Sequence, residues 1–314
     1  YGIEACQDSG YQAMTLMSLS SSDYPDLLPL CDGLLEWCEP HKVNLALPSL
    51  RADNFSMNLM EKLQRGGRKS GLTFAPEAGS QRLRDAINKN VTEEDLLNSC
   101  RTAFSGGWSS VKLYFMLGLP TETDEDVLGI ADLAQKVYHV WRENTPNRSR
   151  GVRITVSTSC FVPKSHTPFQ WEAQNTQEEY LRKVTLLREH MRNKSITYNW
   201  HDPETSYLEA VLSRGDRRIA DVIEEAWRHG AKFDSWSEYF NLQTWLTAME
   251  TCGVSPAFYA NRVREKDEIL PWHVISDGVK ESYLWRERET AYAGKITPDC
   301  KVKCSGCGAD KLCK

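Results

Sequence analysis

Among the 314 residues, no apolar run approaches the roughly 20 that a membrane-spanning helix needs. The opening YGIEACQDSG lacks the basic and apolar regions of a secretory signal, and it lacks an initiator Met. Basic excess is missing as well. A net charge of −5 and a pI near 5.9 give no unspecific grip on nucleic acid. Cysteine is not scarce, but its distribution argues against a secreted disulfide framework. Six of the ten (Cys6, Cys31, Cys38, Cys100, Cys160 and Cys252) stand singly among apolar neighbours and read as buried thiols. The other four crowd into the last fifteen residues. A chain of this length can build an ordinary core without disulfides. The composition therefore describes a cytoplasmic protein with one metal or cluster site.

Short apolar runs alternate with amphipathic stretches through the first half. The strands predicted are 13–19, 43–49, 70–76, 110–117 and 152–159, with helical stretches after the first four. In TEEDLLNSCRTAF, Leu96, Leu97, Cys100, Ala103 and Phe104 form one stripe, and Thr92 with Asp95 makes a capping box. In TDEDVLGIADLAQKVYHVW, Thr123 caps, acids fill the first turn, and Val127, Ile130, Ala134, Val137 and Trp141 face inward. Strands separated by helices imply parallel crossovers, hence a barrel or an open α/β sheet. Gly2 to Ser9 reads as the end of a helix capped by Gly10, so the chain is expected to begin inside a βα unit. After Gln170, three amphipathic segments rich in Trp, Arg and Glu predict helices with no alternating strands.

In a parallel α/β array the chemistry lies where strands end. The first two strands run into Ser18, Ser20, Ser21, Ser22 and Asp23, and into Ser49, Arg51, Asp53 and Asn54. The third gives Glu77, Gly79 and Ser80 before the helix QRLRDAINK, and the fourth gives Gly118, Pro120, Thr121, Glu122 and Thr123. The fifth gives Pro163, Lys164, His166 and Pro168. Singly, these residues are also what helix caps, turns and surface loops contain. Together they suggest a pocket for a polar ligand bearing hydroxyls and an amine or carboxylate.

TFAPEAGSQRLRDAINKNVTEEDL and YFMLGLPTETDEDV resemble the fourth- and fifth-strand motifs of radical S-adenosylmethionine enzymes. With LMSLSSSDY, FVPKSHTPFQW and SRGDRRIADVIEEAWRHGAKFDSW added, the chain is similar to one uncharacterised subfamily, whose members carry an N-terminal cobalamin-binding domain. The resemblance implies an α/β fold, a partial (β/α)₆ TIM-like barrel of which strands two to six are present. The expected organisation is a barrel over 1–172, a helical extension over 173–293 and a cysteine-rich tail over 294–314. The implied cofactors are S-adenosylmethionine and a catalytic [4Fe–4S] cluster, with a reducing partner such as ferredoxin or flavodoxin. Such a cluster cleaves S-adenosylmethionine to a 5′-deoxyadenosyl radical that takes hydrogen from a substrate, unidentified here.

Carried over by position, Ser20, Ser21 and Ser22 stand where the family holds the methionine amino group, and Glu77 and Ser80 where it contacts ribose and methionyl. Met116, Gly118 and Leu119 match the backbone flanking adenine, and Lys164 and His166 face cofactor or substrate. The family's C-x₃-C-x₂-C loop has no counterpart near the start, where Cys6 stands alone. The expectation is a C-terminal portion of a longer enzyme, inactive by itself, with its cluster cysteines upstream of Tyr1. Transfer-RNA methylthiolation would share these strand motifs, but the acidic balance weighs against a nucleic-acid partner.

Cys300, Cys304, Cys307 and Cys313 follow C-x₃-C-x₂-C-x₅-C, with Gly306 and Gly308 permitting tight turns. Four thiolates suit tetrahedral zinc or an auxiliary [4Fe–4S] cluster, and sequence leaves both open. The rival function is a non-catalytic zinc module on a helical scaffold, binding protein or RNA. The basic residues of the tail (Lys295, Lys301, Lys303, Lys311 and Lys314) would support it.

Overall fold

The computed structural model describes residues 1–17, 24–46, 71–300 and 302–309. Helix α1 (Gly2–Ser9) leads into strand β1 (Ala13–Thr15), then α2 (Leu27–His41) and β2 (Asn44–Ala46). From Gly71 the alternation runs β3 (Leu72–Glu77), α3 (Gln81–Ala86), α4 (Glu93–Ser105), β4 (Ser110–Leu117), α5 (Asp124–Asn144), β5 (Arg153–Cys160), α6 (Gln177–His190) and β6 (Ile196–Trp200). Five further helices follow: α7 (Pro203–Arg214), α8 (Ile219–Arg228), α9 (Leu242–Thr251), α10 (Pro256–Ala260) and α11 (Glu281–Tyr292).

All described strand pairs are parallel: β1 with β2, and β3-β4-β5-β6 in one sheet. Strand order equals chain order, which is the winding of a barrel rather than of a doubly wound sheet. The fold is thus mixed α/β with parallel sheets, consistent with a partial barrel of the TIM type. Physical causes are local. Thr92 and Thr123 each complete a capping box, with Asp95 and Asp126 as the reciprocal partners. β3 and β4 alternate buried and half-exposed residues, whereas β5 buries Val156, Ser157 and Thr158 in succession.

The expectation that only helices follow Gln170 is corrected by β6, which pairs with β5 from Ile154↔Ile196 to Thr158↔Trp200. ITYNW is short and sits on the described edge of the sheet, so three of its five residues are exposed, the other two half-buried, and its periodicity is weak. The helix expected after the second strand lies outside the described residues.

One core joins both sheets: Met14 and Leu45 share it with Phe74, Leu113 and Val156, and α2, α4, α5 and α6 supply Cys31, Phe104, Val137 and Leu187. α7 to α10 build a second core around Leu208, Val211, Val222, Trp245, Met249 and Tyr259. A small third cluster (Ala78, Leu83, Ala86, Leu119 and Phe161) lies where β3, β4 and β5 end. That cluster floors the site described next.

Candidate functional site

A cavity of about 840 Å³ opens at the carboxyl ends of β3 to β6. Glu77 reaches it from β3, Met116 and Leu119 from β4, and Cys160 to Val162 from β5. His201 follows β6, and Lys164, Phe169 and Glu209 close one side. Tyr283, Leu284, Glu287 and Ala291 of α11, with Val279 and Cys307, form the opposite wall.

The backbone after β3, β4 and β5 is unusual. β3 spends three steps, Phe74 to Glu77, where β4 spends two, Leu113 to Phe115, so β3 carries one extra residue. Pro76 sits in that bulge, where no ladder donor is required. Glu77 then has φ +69°, Thr121 after β4 has +68°, and His166 after β5 has +56°. Side chains rarely adopt such angles, and strain of this kind gathers at ligand sites.

The loop after Glu77 is held from beneath. The buried Arg84 guanidinium donates to the carbonyls of Ala78 at 2.9 Å and Gly79 at 3.2 Å. Gly79 touches α5 so closely that a Cβ there would lie 2.4 Å from the Asp126 carbonyl and the Ile130 amide. Ser80 caps α3 through Leu83 N–H at 3.1 Å and donates its hydroxyl to the Asp126 carboxylate, which also receives Arg82. Burial would raise the Asp126 carboxyl, but hydrogen bonds from Ser80, the Thr123 amide and Arg82 overcome it and hold the group below its usual value.

The β4 loop is clamped in the same manner. Glu122 accepts the Gly118 N–H at 2.8 Å and pairs with Lys183 at 2.8 Å, the two side chains being 2% and 7% exposed. Burial pushes the Glu122 carboxyl up against the pull of the Lys183 ammonium. Inside the cavity, Glu77 pairs with Lys89 at 3.1 Å, and Lys164 pairs with Glu209. Burial raises the Cys160 thiol to about 12, which makes it a neutral wall group rather than a nucleophile.

Of the residues expected to meet the cofactor, Glu77, Met116, Leu119 and Lys164 converge on the cavity. Ser80 and Gly118 are outside its lining and engaged in the caps and loop contacts just given. His166 is outside too; its amide donates to Gln170 at 3.0 Å and its ring lies 3.9 Å from Asp277. Ser20, Ser21 and Ser22 lie outside the described residues. Sequence reasoning missed Lys89, Glu209, Glu287 and the Glu122–Lys183 pair. Only Lys183, a charge in an otherwise buried turn of α6, carried a signal that periodicity could have found.

In the tail, Cys300 and Cys304 are exposed and Cys307 is half-buried against the cavity, while Cys313 lies outside the described residues. Gly306 and Gly308 do turn with φ +73° and +102°. The tail docks through Lys280 N–H on the Cys307 carbonyl at 2.8 Å and Arg286 on the Ser305 carbonyl at 2.6 Å. Among the described residues, no group of three or more His, Cys, Asp or Glu could hold a metal ion. Also among them, no helix is long and apolar enough to cross a membrane.

Parallel strands in barrel order, with a cavity at their carboxyl ends, define a mixed α/β protein of the partial-barrel class. Residues 2–134 match the family model described as the Radical SAM superfamily, so a domain of that superfamily occupies the first part of the chain. The chain is also similar to the "Uncharacterized protein MJ0966" of Methanocaldococcus jannaschii, at 31% identity over 211 residues. That alignment takes in 67% of this chain and 43% of the relative, so the chain spans less than half the relative's length. S-adenosylmethionine and a [4Fe–4S] cluster are the cofactors of that superfamily.

Proposed function

We propose that this chain carries the S-adenosylmethionine-binding face of a radical enzyme. The observation that carries the reading is the convergence of Glu77, Met116, Leu119 and Lys164, from three successive strand ends, on one cavity of about 840 Å³. The residues present fit the cofactor. Met116, Leu119, Phe161 and Phe169 offer an apolar bed suited to adenine, and the Glu77–Lys89 pair offers an acceptor for ribose hydroxyls beside a cation for a carboxylate. Loop clamping by Arg84 and by Glu122 holds these groups in place before ligand arrives.

The [4Fe–4S] cluster would supply the electron that splits the sulfonium bond, giving methionine and a 5′-deoxyadenosyl radical. The described residues do not form a site for that cluster, so the role derived for them is binding, orientation and exclusion of water. The finer assignment, to the cobalamin-associated subfamily, rests on the motif resemblance alone.

Equilibrium binding of S-adenosylmethionine to this chain is the test, needing no cluster. Glu77→Gln is expected to weaken it by about tenfold, the worth of one charge-assisted hydrogen bond. Met116→Trp, which fills the adenine bed, is expected to abolish it. Unaltered binding in both variants would remove the proposal.

A further inference from the structure

Helix α11 comes from the far end of the chain, yet it supplies a whole wall of the cavity. Two stripes of the helix account for this. Trp285, Arg288 and Tyr292 (i, i+3, i+7) face residues 171 and 172: Trp285 meets Trp171 edge-on at 5.0 Å, Arg288 pairs with Glu172 at 2.5 Å, and the Tyr292 hydroxyl donates to Glu172 at 2.9 Å. The neighbouring stripe, Leu284, Glu287 and Ala291, faces the cavity. Leu284 and Ala291 are each 6% exposed, so the position between them belongs to an apolar series. It holds a glutamate.

The Glu287 side chain is only 12% exposed, and among the described residues its single ionic neighbour is Arg286, with the Arg286 Nε 4.0 Å away. That guanidinium is itself half out in solvent, donates to the Ser305 carbonyl and lies over the Tyr283 ring. The other cavity carboxylates are matched, Glu77 by Lys89 and Glu209 by Lys164. Among the described residues, Glu287 is therefore answered only by a half-exposed guanidinium at the limit of ion-pair distance, in a mostly apolar chamber, an arrangement that a cationic ligand would compensate. The volume is near the upper end for small-molecule pockets, enough for a second ligand beside a nucleoside.

We infer that Glu287 is the recognition group for a substrate carrying a protonated amine on an apolar body, bound between α11 and the strand ends. As a substrate site this rests on the proposed S-adenosylmethionine reading; as an amine site it stands alone. The ammonium would donate to the Glu287 carboxylate, and Leu284, Val279 and Phe169 would receive the apolar portion.

n-Octylamine, n-octanol and octanoate are the probes, titrated onto the full chain by calorimetry. Octylamine is expected to bind about tenfold or more tightly than octanol, and octanoate not measurably. Glu287→Gln, which keeps the shape, should erase the preference for the amine while leaving octanol unchanged. Glu209→Gln should keep the preference, because that carboxylate already has Lys164. Equal binding of amine and alcohol to the native protein, or a preference that survives in Glu287→Gln, overturns the inference. Octylamine should also bind in the presence of saturating S-adenosylmethionine; displacement would hand Glu287 to the cofactor's own amine and overturn it. Lost S-adenosylmethionine binding with the amine preference intact would sink the cofactor reading alone.

Discussion

Replacing Lys183 by Met removes one partner of the best-buried ion pair at the site. At 2.8 Å and an effective dielectric of about 20, the two charges attract by roughly 6 kcal/mol. Most of that is offset by desolvating both ions, but deleting one leaves the other buried and unmatched. Lys183→Met should therefore cost about 3–5 kcal/mol near neutral pH, a large share of a typical domain's stability. Part of the penalty should disappear on acidification. Burial already raises the Glu122 carboxyl, and loss of the ammonium raises it further. An acid whose folded value lies above its unfolded value destabilises the fold when ionised, so stability is regained as pH falls through the folded value. Urea unfolding measured between pH 7 and pH 5 should show the variant's deficit shrinking toward the acidic end. Lys183→Met with Glu122→Gln should recover at least half of the loss, since no charge is then stranded and an amide oxygen can still accept from Gly118. A deficit under about 1 kcal/mol at pH 7, or no recovery in the double variant, would refute the reasoning.

Gly79→Ala should destabilise by about 1–3 kcal/mol in the same assay, because its Cβ would sit 2.4 Å from two backbone atoms of α5. Thr92→Ala and Thr123→Ala each remove a helix cap and should cost about 1 kcal/mol, read as a lowered urea midpoint. In the native protein at pH 8, Cys300 and Cys304 should react at once with a thiol reagent, because they are exposed. Cys100 and Cys160, whose thiols burial raises to about 12, should react only on unfolding; peptide mapping of the labelled protein distinguishes them.

The parallel α/β plan could be read along the chain because each of its elements is specified by neighbours in sequence. Ser110–Leu117 emerges with the bounds that alternation predicts, the Thr92–Asp95 capping box forms where the pattern places it, and Thr123 caps its helix as expected, its box with Asp126 being an addition the structure supplies. β6 escaped because an exposed edge strand of five residues has little apolar periodicity to display. The strand-end residues were legible as a group, and their division was not. Glu77 and Lys164 enter the cavity, while Ser80, an equally polar residue three positions beyond Glu77, is consumed as the cap of α3 and partner of Asp126.

Sequence by itself determined the strands from β3 to β5, the helices between them, the caps, the strand-end polarity and the cysteine spacing of the tail, all properties of local pattern. Tertiary structure alone decided that α11 becomes a wall of the cavity, that Lys183 reaches Glu122 across 61 positions of chain, and that Glu287 faces inward with only the half-exposed Arg286 as an ionic neighbour among the described residues. The reason is that burial and charge pairing depend on which distant surfaces meet, and no short-range periodicity encodes that meeting.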